Sequence, residues 1–164
     1  MLKHKIVLVS TLMAIGASAT SMAAVITTET SISLKAVVPS TVFYAQPRTP
    51  GFGTSQVSLA YDPIAKKLNP LLETFDVKTT AGSVKAFIVG GPVVLYNGTV
   101  AQNIPLVTEF NGVTLTDTAT EVVDVATAVP GTPANLVITP GDIPTDASGE
   151  YLATYSVVFE NGAP

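Results

Sequence analysis

The sequence predicts an all-β domain, and three observations carry that prediction. Beyond the first two dozen residues, valine, threonine, isoleucine and tyrosine dominate. Proline, glycine, asparagine or aspartate interrupts them every ten residues or so, and the apolar runs between the interruptions are short. That is the pattern of short strands joined by turns. β-Branched side chains suit a pleated surface because their χ1 is already restricted there.

The first element is an address and not part of the fold. Lys3, His4 and Lys5 make a basic start, Ile6 to Gly16 is apolar apart from Ser10 and Thr11, and small residues follow. A membrane-spanning helix needs about 20 apolar residues, so this run reads as a signal peptide. Ser21-Met22-Ala23 supplies the small residues that signal peptidase requires, which places cleavage after Ala23 or Ala24. The predicted organisation is therefore a signal peptide over 1–23, an N-terminal strand segment over 24–39 and one domain over 40–164.

The N-terminal segment alternates strictly. Thr27, Glu29, Ser31, Ser33 and Lys35 interleave with Thr28, Thr30, Ile32, Leu34 and Ala36; Val38 completes the second set, and Pro39 ends the run. Successive strand side chains point to opposite faces, so Ile32, Leu34, Ala36 and Val38 form one apolar row built for burial. On pattern alone, two readings stay open. The segment is either an ordinary first strand of its own sheet or a strand given to a neighbouring molecule.

Further strands are predicted at Thr41–Tyr44, Ser55–Tyr61, Phe75–Thr79, Val84–Val89, Leu106–Phe110, Val113–Leu115, Leu136–Thr139 and Tyr151–Glu160. Asn111-Gly112 predicts a type I′ hairpin turn, because both residues accept positive φ. Asp117–Ala128 reads equally as a few helical turns or as a strand. Pro130–Pro133 and Pro140–Asp146 read as turn-rich loops. Eight or so short strands in one chain predict a two-sheet sandwich.

Composition narrows the function. Lys3 and Lys5 leave with the signal, so six basic residues face twelve acidic ones, a formal net charge of −6. Such a surface repels nucleic acid and anionic membrane. His4 is the only histidine, and the chain has no cysteine. The mature chain therefore lacks a Ser-His-Asp triad, a thiol nucleophile and an ordinary zinc site. No cofactor is implied, and nothing in the sequence favours an enzyme.

The remaining fragments are weak signals. Asp142, Asp146 and Glu150 lie in a Pro/Gly-rich loop and read as an acidic solvated turn, with a calcium loop as the sharper alternative, although the EF-hand spacing is absent. Gly51-Phe52-Gly53-Thr54-Ser55 has no lysine and opens no helix, so it is no phosphate cradle. Asn97-Gly98-Thr99 is formally a glycosylation sequon and reads as a turn. Lys66-Lys67 reads as a solvated pair after the Asp62-Pro63 turn, with receptor contact as the sharper reading.

Three stretches carry a family resemblance. They are Ser31-Ile32-Ser33-Leu34-Lys35-Ala36-Val37-Val38-Pro39, then Val57-Ser58-Leu59-Ala60-Tyr61-Asp62-Pro63-Ile64-Ala65-Lys66-Lys67-Leu68, and Ser148-Gly149-Glu150-Tyr151-Leu152-Ala153-Thr154-Tyr155-Ser156-Val157-Val158-Phe159. Together they resemble the major subunits of class 5 fimbriae, the alternate chaperone–usher pilins. That family includes the enterotoxigenic colonisation-factor pilins and cable pilin, the member these stretches most resemble. The second stretch, similar to the family's V-x-L-A-Y-x-P-x-x-K element, is the most specific.

The resemblance implies an immunoglobulin-like β-sandwich lacking its final strand, completed by donor-strand exchange. It implies donor residues at Ile32, Leu34, Ala36 and Val38, with Ile26 and Thr28 as further anchors. It also implies an acceptor groove along Tyr151, Ala153, Tyr155, Val157 and Phe159 of the C-terminal strand. The implied partners are neighbouring subunits, a periplasmic chaperone, an outer-membrane usher, a tip adhesin and a host receptor, with the product exported to a surface fimbrium. Two alternatives stand beside this reading. One is a minor or tip adhesin subunit of the same organelle; the other is a monomeric exported β-sandwich that binds a ligand or has an unrecognised hydrolytic activity.

Overall fold

The structure, a computed structural model, describes Ser31, residues 33–36 and residues 42–162. The signal segment and Ile26, Thr28, Ile32 and Val38 lie outside the described residues. Eleven strands are present among the described residues. They are β1 (Phe43–Pro47), β2 (Tyr61–Asp62), β3 (Lys67–Leu68), β4 (Leu71–Thr79), β5 (Val84–Ile88), β6 (Val93–Leu95), β7 (Ile104–Phe110), β8 (Val113–Thr114), β9 (Thr120–Val123), β10 (Thr132–Pro140) and β11 (Val157–Asn161). A single helical turn, α1 (Val125–Ala128), is capped by the Asp124 carboxylate, which accepts from the Thr127 amide.

The strands form two main sheets. The larger runs β1-β4-β10-β7-β6, with β8 paired to β7; the smaller runs β11-β5-β9; β2 and β3 pair only with each other. Every ladder between these strands is antiparallel. Period-two alternation decides which face is buried. Glu73, Phe75, Val77 and Thr79 of β4, Ile104, Leu106, Thr108 and Phe110 of β7, and Val84, Ala86 and Ile88 of β5 are buried between the sheets. The alternate residues of β4, such as Leu72 and Lys78, face outward. This is the immunoglobulin-like sandwich the sequence predicts.

Two buried polar groups of β4 are paired, as folding requires. The Glu73 carboxylate accepts from the Thr49 amide, and the Thr79 hydroxyl donates to the Ala81 carbonyl. The Asn111-Gly112 turn has φ values of 51° and 80°, and Phe110 pairs with Val113 across it, so the type I′ hairpin is present.

Four local expectations need correction. Ser55–Tyr61 is not a laddered strand; only Tyr61 enters one, in β2. Tyr151–Glu160 ladders only from Val157, with a single bridge at Leu152 to Tyr96, because β5 ends at Ile88 and turns away through Gly90 and Gly91. Pro130–Pro133 is not all loop, since β10 starts at Thr132. Pro133 is tolerated there because β7 joins β10 only from Leu136 onward. Asp117–Ala128 is neither one helix nor one strand: β9 and α1 divide it at Asp124, whose side chain caps the turn.

Candidate functional site: an open apolar groove

β11 is the edge of the smaller sheet. It pairs with β5 on one side (Val157 opposite Ile88, Phe159 opposite Ala86) and has no strand on its other side among the described residues. Since Ile88 and Ala86 point into the core, Val157 and Phe159 do too, and Tyr155 follows the same parity. All three pack against the main core while remaining half-buried. The edge therefore shows water both unpaired backbone and the flank of the core.

The opposite lip is the stretch from Phe52 to Leu59. Phe52 stacks edge-on against Phe75 with centroids 6.1 Å apart, and Phe159 meets the same Phe75 ring at 5.5 Å. Phe110 lies beneath, 5.5 Å from Phe75 and 4.8 Å from Phe159. At the other end of the sandwich, Leu59 joins Tyr151 and Tyr155 on a second cluster built from Leu95, Ile104 and Leu106. The two lips thus share a floor at both ends. Gln56 to Leu59 are extended yet make no backbone–backbone hydrogen bond, and Val57 is 44% exposed. The outer edge of β11 and the backbone of Gln56–Leu59 are therefore free to pair with a strand.

One polar pair sits in the groove. The Tyr155 hydroxyl lies 3.0 Å from the Thr108 hydroxyl, and burial pushes the phenol above its ordinary value while that hydrogen bond opposes the shift. The phenol stays neutral and the groove carries no charge from these residues. Of the groove positions expected from sequence, Tyr151, Tyr155, Val157 and Phe159 pack on the two clusters, whereas Ala153 is exposed and packs on neither. Phe52 and Leu59 were not foreseen as groove residues. Their signal was the alternation of Val57 and Leu59, which reads as a strand without naming its partner. Of the donor row, the described Leu34 and Ala36 are both exposed, Leu34 at 92%.

Other candidates resolve into ordinary structure. Asp142, Asp146 and Glu150 are exposed, and no group of His, Cys, Asp or Glu able to hold a metal exists among the described residues. Asn97 donates its amide to Gln102 and to the Ser148 carbonyl, so its side chain ties a turn. A shallow hollow lined by Tyr44, Arg48, Asp76 and Lys78 holds the Arg48–Asp76 ion pair at 2.6 Å.

These features describe a cysteine-free sandwich with one open, largely apolar sheet edge. The chain belongs to the CS1 type fimbrial major subunit family, whose model matches residues 28–160. The fold agrees: the structure of the CooA pilin subunit from enterotoxigenic Escherichia coli superposes with a TM-score of 0.50 at 17% identity, over 71% of this chain and 86% of that one. No curated protein matches the sequence significantly. The protein is thus a structural pilin subunit of the class 5 major-subunit family, and subunits of this kind assemble with one another into a surface fimbrium.

Proposed function

We propose that this pilin polymerises by donor-strand exchange, its N-terminal segment (24–39) filling the groove of the next copy. The supporting observation is the gap between the unpaired outer edge of β11 and the unladdered Gln56–Leu59 stretch, over a shared apolar floor. Ile32, Leu34, Ala36 and Val38 enter as the apolar row, with Ile26 and Thr28 as further anchors. Because the sheets are antiparallel throughout, the incoming strand runs antiparallel to β11. Burying those four side chains contributes roughly 4–10 kcal/mol at about 25 cal/mol per Å². Each new backbone bond adds about 1 kcal/mol or less. The neighbour supplies stabilisation that the missing cysteines do not, and no cofactor or nucleotide takes part.

In this reading, residues 1–23 direct export and are removed, and residues 40–164 form the incomplete domain. A periplasmic chaperone covers the groove until an outer-membrane usher delivers the donor, since an open apolar edge otherwise aggregates. A tip adhesin and a host receptor complete the organelle's partners, and the chain itself is the shaft subunit. The test deletes Val25–Val38, keeps the signal, and co-expresses the cognate chaperone. A soluble chaperone complex with no SDS-resistant ladder in unboiled samples is expected. Normal ladders from the deleted protein would refute the exchange.

A further inference from the structure

The β2–β3 hairpin has no role in the groove, yet it is the best-presented apolar tip on the domain. Its strands pair only with each other, Tyr61 opposite Leu68 and Asp62 opposite Lys67. Its base is fixed: Leu59 and Leu68 pack on the Leu95–Ile104–Leu106 cluster, and the Asn69 amide donates to the Ala60 carbonyl. Its loop is fixed as well, because the Asp62 carboxylate accepts from the Ile64 and Ala65 amides. On this braced loop Ile64 is 94% exposed, beside exposed Lys66 and Lys67. Among the described residues, the single close ion pair is Arg48–Asp76; Lys67 faces Asp62 across the hairpin without closing on it, and Lys66 is in no close ion pair.

The strand directions say what the hairpin meets. Leu71, Ile104, Leu95 and Pro140 gather at the hairpin end of the sandwich. Phe43, Thr79, Val84, Val123 and Asn161 gather at the opposite end, where the chain enters the domain. That entry end carries exposed Glu121, Asp124 and Glu160, with half-buried Lys85 opposite both glutamates in the small sheet. A donor strand antiparallel to β11 finishes at the Tyr151 end, which is the hairpin end. The donor's own domain then begins there, with its entry end facing the hairpin.

We infer that the β2–β3 hairpin tip, Ile64 with Lys66 and Lys67, docks on the acidic entry end (Glu121, Asp124, Glu160) of the copy that donates the strand. This rests on the donor-strand reading and adds a second contact at each joint. The contact joins two different patches of one chain, the head-to-tail kind of interface that builds open filaments. Asp142, Asp146 and Glu150 lie at the hairpin's own end, and no ion pair joins them to Lys66 or Lys67.

Zero-length carbodiimide coupling of unmodified wild-type fibres, followed by peptide mapping, tests the contact. The two ends of one domain are separated by the nine residues of β4, roughly 30 Å at 3.3 Å per residue. A link from Lys66 or Lys67 to Glu121, Asp124 or Glu160 therefore joins two copies. Such links are expected, and Ile64→Asp should remove them. No link from either lysine, or links only to other carboxylates such as Asp142, Asp146 or Glu150, overturns the inference. The ladder assay reads the donor strand separately. Fibres with normal SDS-resistant ladders and none of the expected links would sink the hairpin contact and leave donor-strand exchange standing.

Discussion

β10 lies between β4 and β7 and is hydrogen-bonded along both edges over Leu136–Ile138, whereas β11 is paired along one edge only, to β5. Both strands are rich in branched apolar residues. In β10, Ala134 and Leu136 are buried, while Val157, Val158 and Phe159 of β11 remain half-buried. The difference lies in the neighbours and not in the residues. An apolar strand with a free edge is an unfinished element, open to completion of both its hydrogen bonds and its burial by a strand from elsewhere.

Mutations can break this contrast or sharpen it. The largest expected effect is on assembly: Leu34→Asp puts an unpaired carboxylate into an apolar groove and should abolish SDS-resistant ladders. The same change should leave the thermal melting of the chaperone-bound subunit unaltered; a normal ladder would show that Leu34 does not enter a groove. Next comes Phe110→Ala, which removes a fully buried ring beneath the groove floor. About 3–5 kcal/mol of domain stability should go, seen as a lower urea midpoint with chaperone-bound and fibrous protein both affected.

Phe159→Ala sits between the two regions. Its ring is half-buried, so the isolated domain should lose less, about 2 kcal/mol. The fibre should lose proportionally more, because the groove floor is also the donor's seat. Heating unboiled ladders in SDS reads this; equal losses in domain and fibre would mean that Phe159 belongs to the core alone. Gly112→Ala is smaller again. No atom lies within 4 Å of the added Cβ, so only the φ of 80° opposes it. About 1 kcal/mol is expected from strain in the left-handed region, with assembly unchanged.

The smallest effect concerns the exposed Arg48–Asp76 pair. The Arg48 hydrogen bond holds the Asp76 carboxyl below its ordinary value. A depressed folded value stabilises above the unfolded carboxylate range, and the contribution is lost as pH falls through the folded value. Asp76→Asn should therefore remove a small contribution at neutral pH and leave low-pH stability unchanged, which flattens the acid limb of a stability–pH curve slightly. An unchanged acid limb would mean the pair is inert, as many surface pairs are.

Much of this fold was legible along the chain because alternation reports faces. β4, β5 and β7 were readable in part from residues such as Phe75, Val77, Val84 and Leu106, and Asn111-Gly112 named its own turn. Proline misled at β10: Pro133 reads as loop, but its position clear of the β7 ladder lets the strand start there. The groove was half legible. Tyr155, Val157 and Phe159 share one parity, but Phe52 and Leu59 join them only through contacts with Phe75 and the Leu95 cluster, which lie far apart in sequence.

Sequence alone determined an acidic, cysteine-free chain with an apolar row at Ile32–Val38 and predicted its β class, since charge, composition and period-two patterning are local properties. It also established which face of each strand is apolar. Whether a strand's edges are both occupied depends on where the other strands lie, which is non-local. That question only the tertiary arrangement answered. It left the outer edge of β11 and the Gln56–Leu59 stretch unpaired, because no other described strand reaches the gap.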